Sequence, residues 1–286
     1  MKEFYNSYFP ESFRFRIFYY RKHFHSFANM ALSSLDNRYR MRSELLSQFK
    51  DAYKGQRCFI MGNGPSLNKM DLSLFGNDFI WGTNRCYLLF ERISWRPIFY
   101  TAVDKRVVPD NRNDINSLVN QLTDTCFFFP SDFKINKILS SKKNVFWFDE
   151  SPYKEGGSPR DNFSLNPSIW VSAVRTVTIT ALQLAVYLGF NPIYLIGCDT
   201  SYSIPPTVRY ENGNPNFIIS TEDDPNHFDK SYFGRDKKWH DTHVDRMIRH
   251  YMEVKEVCDE VGVEIVNATV GGELEVFPRV NYLDLF

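Results

Sequence analysis

The residues best suited to chemistry fall in three groups along this 286-residue chain. The first is Gly62-Asn63-Gly64-Pro65-Ser66, directly after the apolar run Arg57–Gly62. Glycine reaches backbone torsions that other residues avoid, and Pro65 fixes its own torsion and removes a donor. Asn63 and Ser66 put hydrogen-bonding side chains on the loop. A strand that ends in such a loop, with a polar helix start beyond it, offers exposed amides to a phosphate or a sugar. The run has neither the Lys-Ser/Thr of a P-loop nor the third glycine of a dinucleotide fingerprint. A tight turn after a buried strand would use the same residues.

The second group stands at strand ends: Asn84 after Phe79–Thr83, Asp104 after Pro97–Val103 and Asp199 after Ile193–Gly197. In a parallel sheet such ends share one edge, so these three and Asn63 point to a common crevice. Asn63 and Asn84 suit base and sugar edges, because an amide both donates and accepts. Asp199 is either a working acid or a cap on the following turn. The third group is His227, His240 and His243, in or near a polar stretch before the last helix. Histidine is the usual general base near neutral pH and could take a proton from an acceptor hydroxyl. Trp239-His240-Asp241-Thr242-His243 does not have a zincin spacing, and carboxylate or thiol partners for a metal are not evident. Asp223-Asp224 resembles a metal-binding pair, but in a polar loop it reads as solvated surface.

These side chains need a frame, and the hydrophobic pattern supplies one. Short apolar runs alternate with helical segments: Arg57–Gly62, Phe79–Thr83, Pro97–Val103, Thr125–Phe129, Asn144–Phe148, Ile193–Gly197 and Val263–Asn267 read as strands. Asp71–Phe75, Asn113–Leu122, Thr176–Leu188 and His243–Val261 read as helices, with Gly189 as a stop signal. Residues 151–168 and 203–238 read as loops, the second long enough for a lid or binding segment. The expectation is an α/β, Rossmann-like, mostly parallel sheet flanked by helices.

Composition narrows the classes. A formal net charge of zero gives no global field toward nucleic acid. Five scattered cysteines, with no C-x-x-C spacing, read as reduced core residues of a cytosolic protein. No run reaches the ~18 apolar residues of a spanning helix. Arg14, Arg16, Arg21 and Lys22 interrupt every apolar run that could serve as a signal peptide. Residues 1–54 differ from the remainder, with ten Lys/Arg against five acids and aromatics interleaved among the bases. His23 and His25 fall there and read as surface. This segment, with helix from about residue 26 to 53, is expected to be a basic arm ahead of a catalytic domain at 55–286. It would serve either as a peripheral contact with the inner face of a membrane or as an arm packed on the body or a second subunit, making a homo-oligomer.

Gly62-Asn-Gly-Pro-Ser-Leu67, Ala181-x-x-x-Ala185-x-x-Leu-Gly-Phe190 and Ile193-Tyr-Leu-Ile-Gly-Cys-Asp199 resemble two related groups. One is the bacterial sialyltransferases of glycosyltransferase family 42. The other is the 6-hydroxymethylpterin diphosphokinase MptE-like family, whose polysaccharide-linked members also resemble Asn267-Ala-Thr-Val-Gly-Gly-Glu-Leu-Glu-Val-Phe-Pro-Arg279. The first resemblance implies that Asn63 and Asn84 meet the nucleotide of a CMP-linked donor, within a site framed by Gly62, Gly64 and Ser66. It implies that Tyr202 and Tyr210 hold the leaving phosphate, although they are shifted from the family's positions. Val177-Thr178 stands in place of the Ser-Gly pair that opens the family's apolar helix. The resemblance also implies that His240, in His240-Asp-Thr-His-Val-Asp245, is the base, without metal or other cofactor. The second group carries an Asn-His-Phe like Asn226-His227-Phe228, which makes His227 the rival base, with Asp199 next.

The resulting expectation is a cytoplasmic glycosyltransferase of surface glycan synthesis. Its donor would be a nucleotide-activated acidic sugar of the sialic acid or Kdo type, and its acceptor a glycan or lipid-linked glycan. The alternatives are a pyrophosphokinase acting on a pterin alcohol with ATP and Mg²⁺, held by Asp104, Asp199 and Asp223, and a non-catalytic nucleotide-sugar-binding protein.

Overall fold

Seven strands of this chain are apolar on both sides, as strands are when a parallel sheet is covered on two faces. In a computed structural model, described for residues 37–104, 111–133, 142–174, 176–214 and 216–286, with side chains from 41, they form one sheet. The elements in chain order are helix α1 (Asn37–Ser47), β1 (Cys58–Met61), β2 (Phe79–Thr83), β3 (Phe99–Thr101), α2 (Arg112–Gln121), β4 (Cys126–Pro130) and β5 (Val145–Phe148). Then come β6 (Glu150–Pro152), the single turn α3 (Pro159–Asn162), β7 (Val171–Ala173), α4 (Val177–Tyr187) and β8 (Ile193–Ile196). The chain continues through β9 (Arg209–Tyr210), β10 (Phe217–Ile219), β11 (Lys238–His240), α5 (Val244–Glu260) and β12 (Ile265–Asn267). The large sheet runs β12-β8-β1-β2-β3-β4-β5, and all its pairings are parallel.

Strand order locates the site. From β1 the chain lays β2 to β5 outward on one side, then returns to place β8 and β12 on the other. The direction reverses between β1 and β8, and at such a switch point the loops leaving the two strands part to open a crevice. Their register aligns Met61 with Ile196, so both loops start at one level.

Side chains alternate between two cores. Cys58 and Ile60 enter one and Phe59 and Met61 the other, all fully buried. The first core holds α4 and α5; ten of the eleven residues of α4 are buried. Gln183, on that helix, accepts the Ser164 and Ser172 N–H groups at 2.9 and 2.8 Å and so ties β7 to it. Gly189, with φ +89°, ends the helix where the sequence indicated. The second core lies under α2, the 3₁₀ turns after β1 and Tyr282.

Two segments expected to be loops contain structure. Residues 203–238 hold most of an antiparallel sheet, β11-β10-β9, anchored by buried Ile218 and Trp239. The segment 151–168 holds the end of β6, which pairs with β7, and α3 with its capping box between Ser158 and Asp161. Strands of two or three residues are too short to show a period of two. The five cysteines are free, four of them buried and Cys126 partly so. Among the described residues no helix is long and apolar enough to cross a membrane.

The chain divides between Glu44 and Leu45 into two units. In the first, the basic-aromatic run 13–22, His23, His25 and the expected helix before residue 37 lie outside the described residues. Residues 45–54 belong to the second unit. Phe49 meets Phe128 and Phe146 edge-on, Tyr53 stacks on Phe190 at 4.9 Å, and Leu46 is 1% exposed. Leu46→Ala is therefore expected to lower stability by about 2–5 kcal/mol, the cost of truncating a buried leucine. Urea unfolding measures it; a change of no more than ~0.5 kcal/mol, the scale of surface substitutions, would detach this segment from the core.

Candidate functional site

Two glycines let the β1 and β8 loops touch. A Cβ on Gly62 would lie 2.3 Å from the Gly197 carbonyl oxygen, and one on Gly64 would lie 1.8 Å from Asp199 Oδ2. Neither approach is open to another residue. The Gly62 and Gly64 N–H groups donate to the Ile196 and Gly197 carbonyls at 2.8 and 2.9 Å. Asp199 then closes the contact. Its Oδ2 accepts Ser66 Oγ–H at 2.6 Å and its Oδ1 accepts Ser66 N–H at 3.1 Å. The acid thus caps the 3₁₀ turn that begins at Pro65, across the switch point and not on the turn that follows it. Burial holds its carboxyl above the ordinary value, against the Ser66 hydrogen bonds.

The run after β12 braces this loop from behind. Thr269 Oγ1 accepts the Cys198 N–H at 3.1 Å and the Glu273 N–H reaches the Asp199 carbonyl at 2.7 Å. Asn267 Nδ2 donates to Leu274 at 2.8 Å. Burial, with Asp199 adding to it, pushes the Cys198 thiol up to about 12, so it stays protonated.

On this frame two asparagines border the opening. Asn63 Nδ2 donates to the Thr83 carbonyl at 3.2 Å and to Thr83 Oγ1 at 3.0 Å, while Thr83 Oγ1 itself donates to the Met61 carbonyl at 2.8 Å. A carbonyl only accepts, so the amide orientation is fixed and Oδ1 faces the other way. That oxygen is buried and has no partner, and so is Asn84 Oδ1. Asn84 holds φ +45°, with its N–H on the Thr101 carbonyl at 3.0 Å and its own carbonyl accepting the Tyr100 hydroxyl. Both residues line a cavity of about 420 Å³. Unpaired buried acceptors are costly, and a ligand's N–H or O–H groups would satisfy them.

The histidines differ in how they are held. His227 Nδ1 lies 2.8 Å from Asp224 Oδ2, and the pair is nearly buried, at 10% and 2% exposure. Asp224 is itself fixed, accepting the Asn226 and Phe233 N–H groups at 2.7 and 2.8 Å. The imidazole stacks on Tyr232 at 3.9 Å and 2°, with the Phe233 edge against it. With Nδ1 committed to Asp224, Nε2 is the ring nitrogen left for work in the cavity. His240, at the end of β11, is 38% exposed and lies 3.8 Å from Asp104 Oδ2, too far for a hydrogen bond.

The cavity brings together Gly62, Asn63, Gly64, Asn84, Asp104, Thr178, Asp199, Tyr202, His227 and His240. Ser66 acts one step back, through Asp199. Tyr210 stays apart: it is half exposed on β9 and pairs with β10. Thr178 sits in the first turn of α4, capped by Thr176 Oγ1 at 3.3 Å, so a helix N-terminus opens on the cavity. Burial pushes the Tyr202 phenol up, leaving a neutral donor at the wall. Asp224 corrects the expectation of a solvated acid pair: it is buried and holds His227, while Asp223 is exposed and outside this cavity. The Asp224-x-x-His227 spacing was the available signal. Thr83, Tyr232 and Trp239 gave none, because their roles arise from contacts distant in sequence.

The family model described as 6-hydroxymethylpterin diphosphokinase MptE-like matches residues 32–205. No curated protein matches the chain. Two solved structures are similar in shape. The MAf glycosyltransferase from Magnetospirillum magneticum AMB-1 aligns at TM-score 0.49 and 15% identity over 87% of this chain, which spans 39% of that protein. The sialyltransferase CstII from Campylobacter jejuni, in complex with a substrate analogue, cytidine-5'-monophosphate, aligns at TM-score 0.44 and 13% identity over 79% of this chain and 85% of that one.

The clamp predicts a pH signature. A carboxyl raised in the folded state favours folding below its unfolded value, and that contribution is lost as pH rises through the folded value. Asp199→Asn lacks this loss. Its stability relative to the parent is therefore expected to climb as pH increases from 3.8, the ordinary aspartate value. Urea midpoints across the acidic range measure the difference, and a pH-independent offset would show that Asp199 is not desolvated.

Proposed function

The chain belongs to the 6-hydroxymethylpterin diphosphokinase MptE-like family, and we propose that within it this protein is a glycosyltransferase using a nucleotide-linked acidic sugar, with a CMP-linked donor favoured. The observation that carries the reading is the pair of unpartnered buried oxygens, Asn63 Oδ1 and Asn84 Oδ1, on two residues that line one cavity with a carboxylate-oriented histidine. The two oxygens suit the exocyclic amine of a base and the hydroxyls of a ribose, which are donors. The α4 N-terminus, Thr178 and the neutral Tyr202 suit the single phosphate.

In the reaction the acceptor hydroxyl oxygen bonds to the anomeric carbon as the bond from that carbon to the phosphate oxygen breaks. The nucleotide monophosphate leaves with the electron pair, and His227 Nε2 takes the hydroxyl proton. Asp224 holds the tautomer and steadies the imidazolium that forms. His227 is the base here because its Asp224 contact is short and shielded, whereas His240 stands at the more exposed rim. A phosphate leaving group of this kind departs without a metal.

Diphosphoryl transfer from ATP, the chemistry in the family's description, is the second reading. It calls for Mg²⁺ on carboxylate oxygens. The three acids expected to hold it do not converge on one site: Asp104 lines the cavity beside His240, both oxygens of Asp199 are bonded to Ser66, and Asp223 lies outside the cavity lining. Among the described residues, no three His, Cys, Asp or Glu side chains form a cation cluster.

Calorimetric titration separates the readings. CMP is expected to bind in the presence of a chelator, and Asn63→Ala is expected to weaken it by about 1–3 kcal/mol, the cost of losing a buried polar partner. Binding of ATP with Mg²⁺ and none of CMP would overturn the glycosyltransferase reading. Release of CMP from a CMP-linked acidic sugar tests the base. His227→Ala is expected to cut turnover by roughly 10²-fold or more, as loss of a general base does. A near-normal rate for that variant, with collapse in His240→Ala, would move the role to His240.

A further inference from the structure

A second cavity adjoins the first. It is an open hollow of about 270 Å³ between the segment after β6, the end of β7 and α5, and is lined by Tyr153, Glu155, Ala173, Val174, Arg246 and His250. Ala173 and Val174 line both cavities, so the two meet along that rim. A donor nucleotide sugar matches the larger cavity in scale, since such ligands fill pockets of several hundred Å³. The molecule that receives the sugar must then approach from a neighbouring surface.

The walls of the second cavity suit a polyhydroxylated ring. Tyr153 lies over the His250 imidazole at 4.2 Å, and its hydroxyl donates to Glu253 Oε1 at 2.7 Å, so this wall is rigid. Burial is the main cause that holds the Glu253 carboxyl up, and burial pushes the Tyr153 phenol up to about 12. Glu155 and Arg246 are exposed at the mouth. A carboxylate accepts from hydroxyls and a guanidinium donates to them, so the pair reads both halves of a sugar's hydrogen-bonding groups.

We propose that this cavity is the acceptor subsite, taking a sugar ring of the acceptor between Glu155 and Arg246 against the Tyr153 wall and presenting its reactive hydroxyl over the Ala173–Val174 rim. The assignment rests on the glycosyltransferase reading above. The acceptor is thereby a glycan, recognised through the ring that carries the reacting hydroxyl. A phosphorylated carrier would engage Arg246 alone and leave Glu155 opposed to it.

Saturation-transfer NMR on the full chain loaded with CMP tests this, with methyl galactoside, methyl glucoside, methyl mannoside and lactose as probes. At least one is expected to bind the parent, and binding is expected to weaken roughly tenfold or more in both Arg246→Ala and Glu155→Gln, as loss of a charged hydrogen bond does. CMP titrations of the same samples read the larger cavity separately. CMP binding with no sugar signal, or sugar signals that neither variant alters, would overturn the subsite. Sensitivity to Arg246→Ala alone, with inorganic phosphate competing, would replace it with a phosphate site. Failure of the parent to bind CMP would instead overturn the donor reading and the subsite with it.

Discussion

The structure turns on the contact between two loops that leave adjacent strands. Where β1 and β8 end, their backbones approach more closely than any side chain allows, and the buried Asp199 carboxylate bonds across the gap to Ser66. This contact costs the desolvation of a charge, and the hydrogen bonds to Ser66 offset part of it. In return the 3₁₀ turn after β1 is fixed, and with it the position of Asn63. The brace from the segment after β12 belongs to the same arrangement, because it holds the Asp199 loop at the height that Ser66 requires.

Asn63 is then oriented twice over. The clamp sets its backbone, and Thr83 at the end of β2 takes its amide hydrogens. Two neighbouring strands therefore cooperate to leave one buried acceptor atom without a partner on a residue that lines the cavity. Preorganisation of this kind lowers the ordering cost of a ligand.

Much of this frame was legible in the sequence, for a stated reason. Strands covered on both faces must be apolar throughout, so Phe79–Thr83 and Ile193–Ile196 stand out against polar loops, and the residues just beyond them had to share an edge. The apolar α4 and its glycine stop were equally plain. The partners of those residues were not legible. Asp199 read as an acid or a local cap, because nothing local joins it to Ser66, 133 positions away. Asp224 read as solvent-facing, because a polar neighbourhood in sequence does not reveal a pocket formed by Tyr232 and Phe233. The short strands β9 to β11 have too few residues for any period, and pairing with one another defines them. The ten residues before 55 looked like the end of a basic arm because the charge pattern masks one core residue, Leu46, and two aromatics packed against the core, Phe49 and Tyr53.

The cavity is assembled from two sources that are separate along the chain. Gly62, Asn63, Asn84 and Thr178 come from the ends of sheet strands and from the helix packed on them. His227, Tyr232, Trp239 and His240 all come from the single excursion between β8 and α5, with its own small sheet. The two sources are nevertheless tied together, because the Phe228 N–H donates to the Asn63 carbonyl at 3.0 Å, Asn68 Nδ2 donates to the Phe228 carbonyl at 2.9 Å and Arg85 Nη1 donates to the Ser231 carbonyl at 3.0 Å. A change within the excursion is therefore felt at the strand ends, and the two halves of the cavity wall tolerate alteration only together.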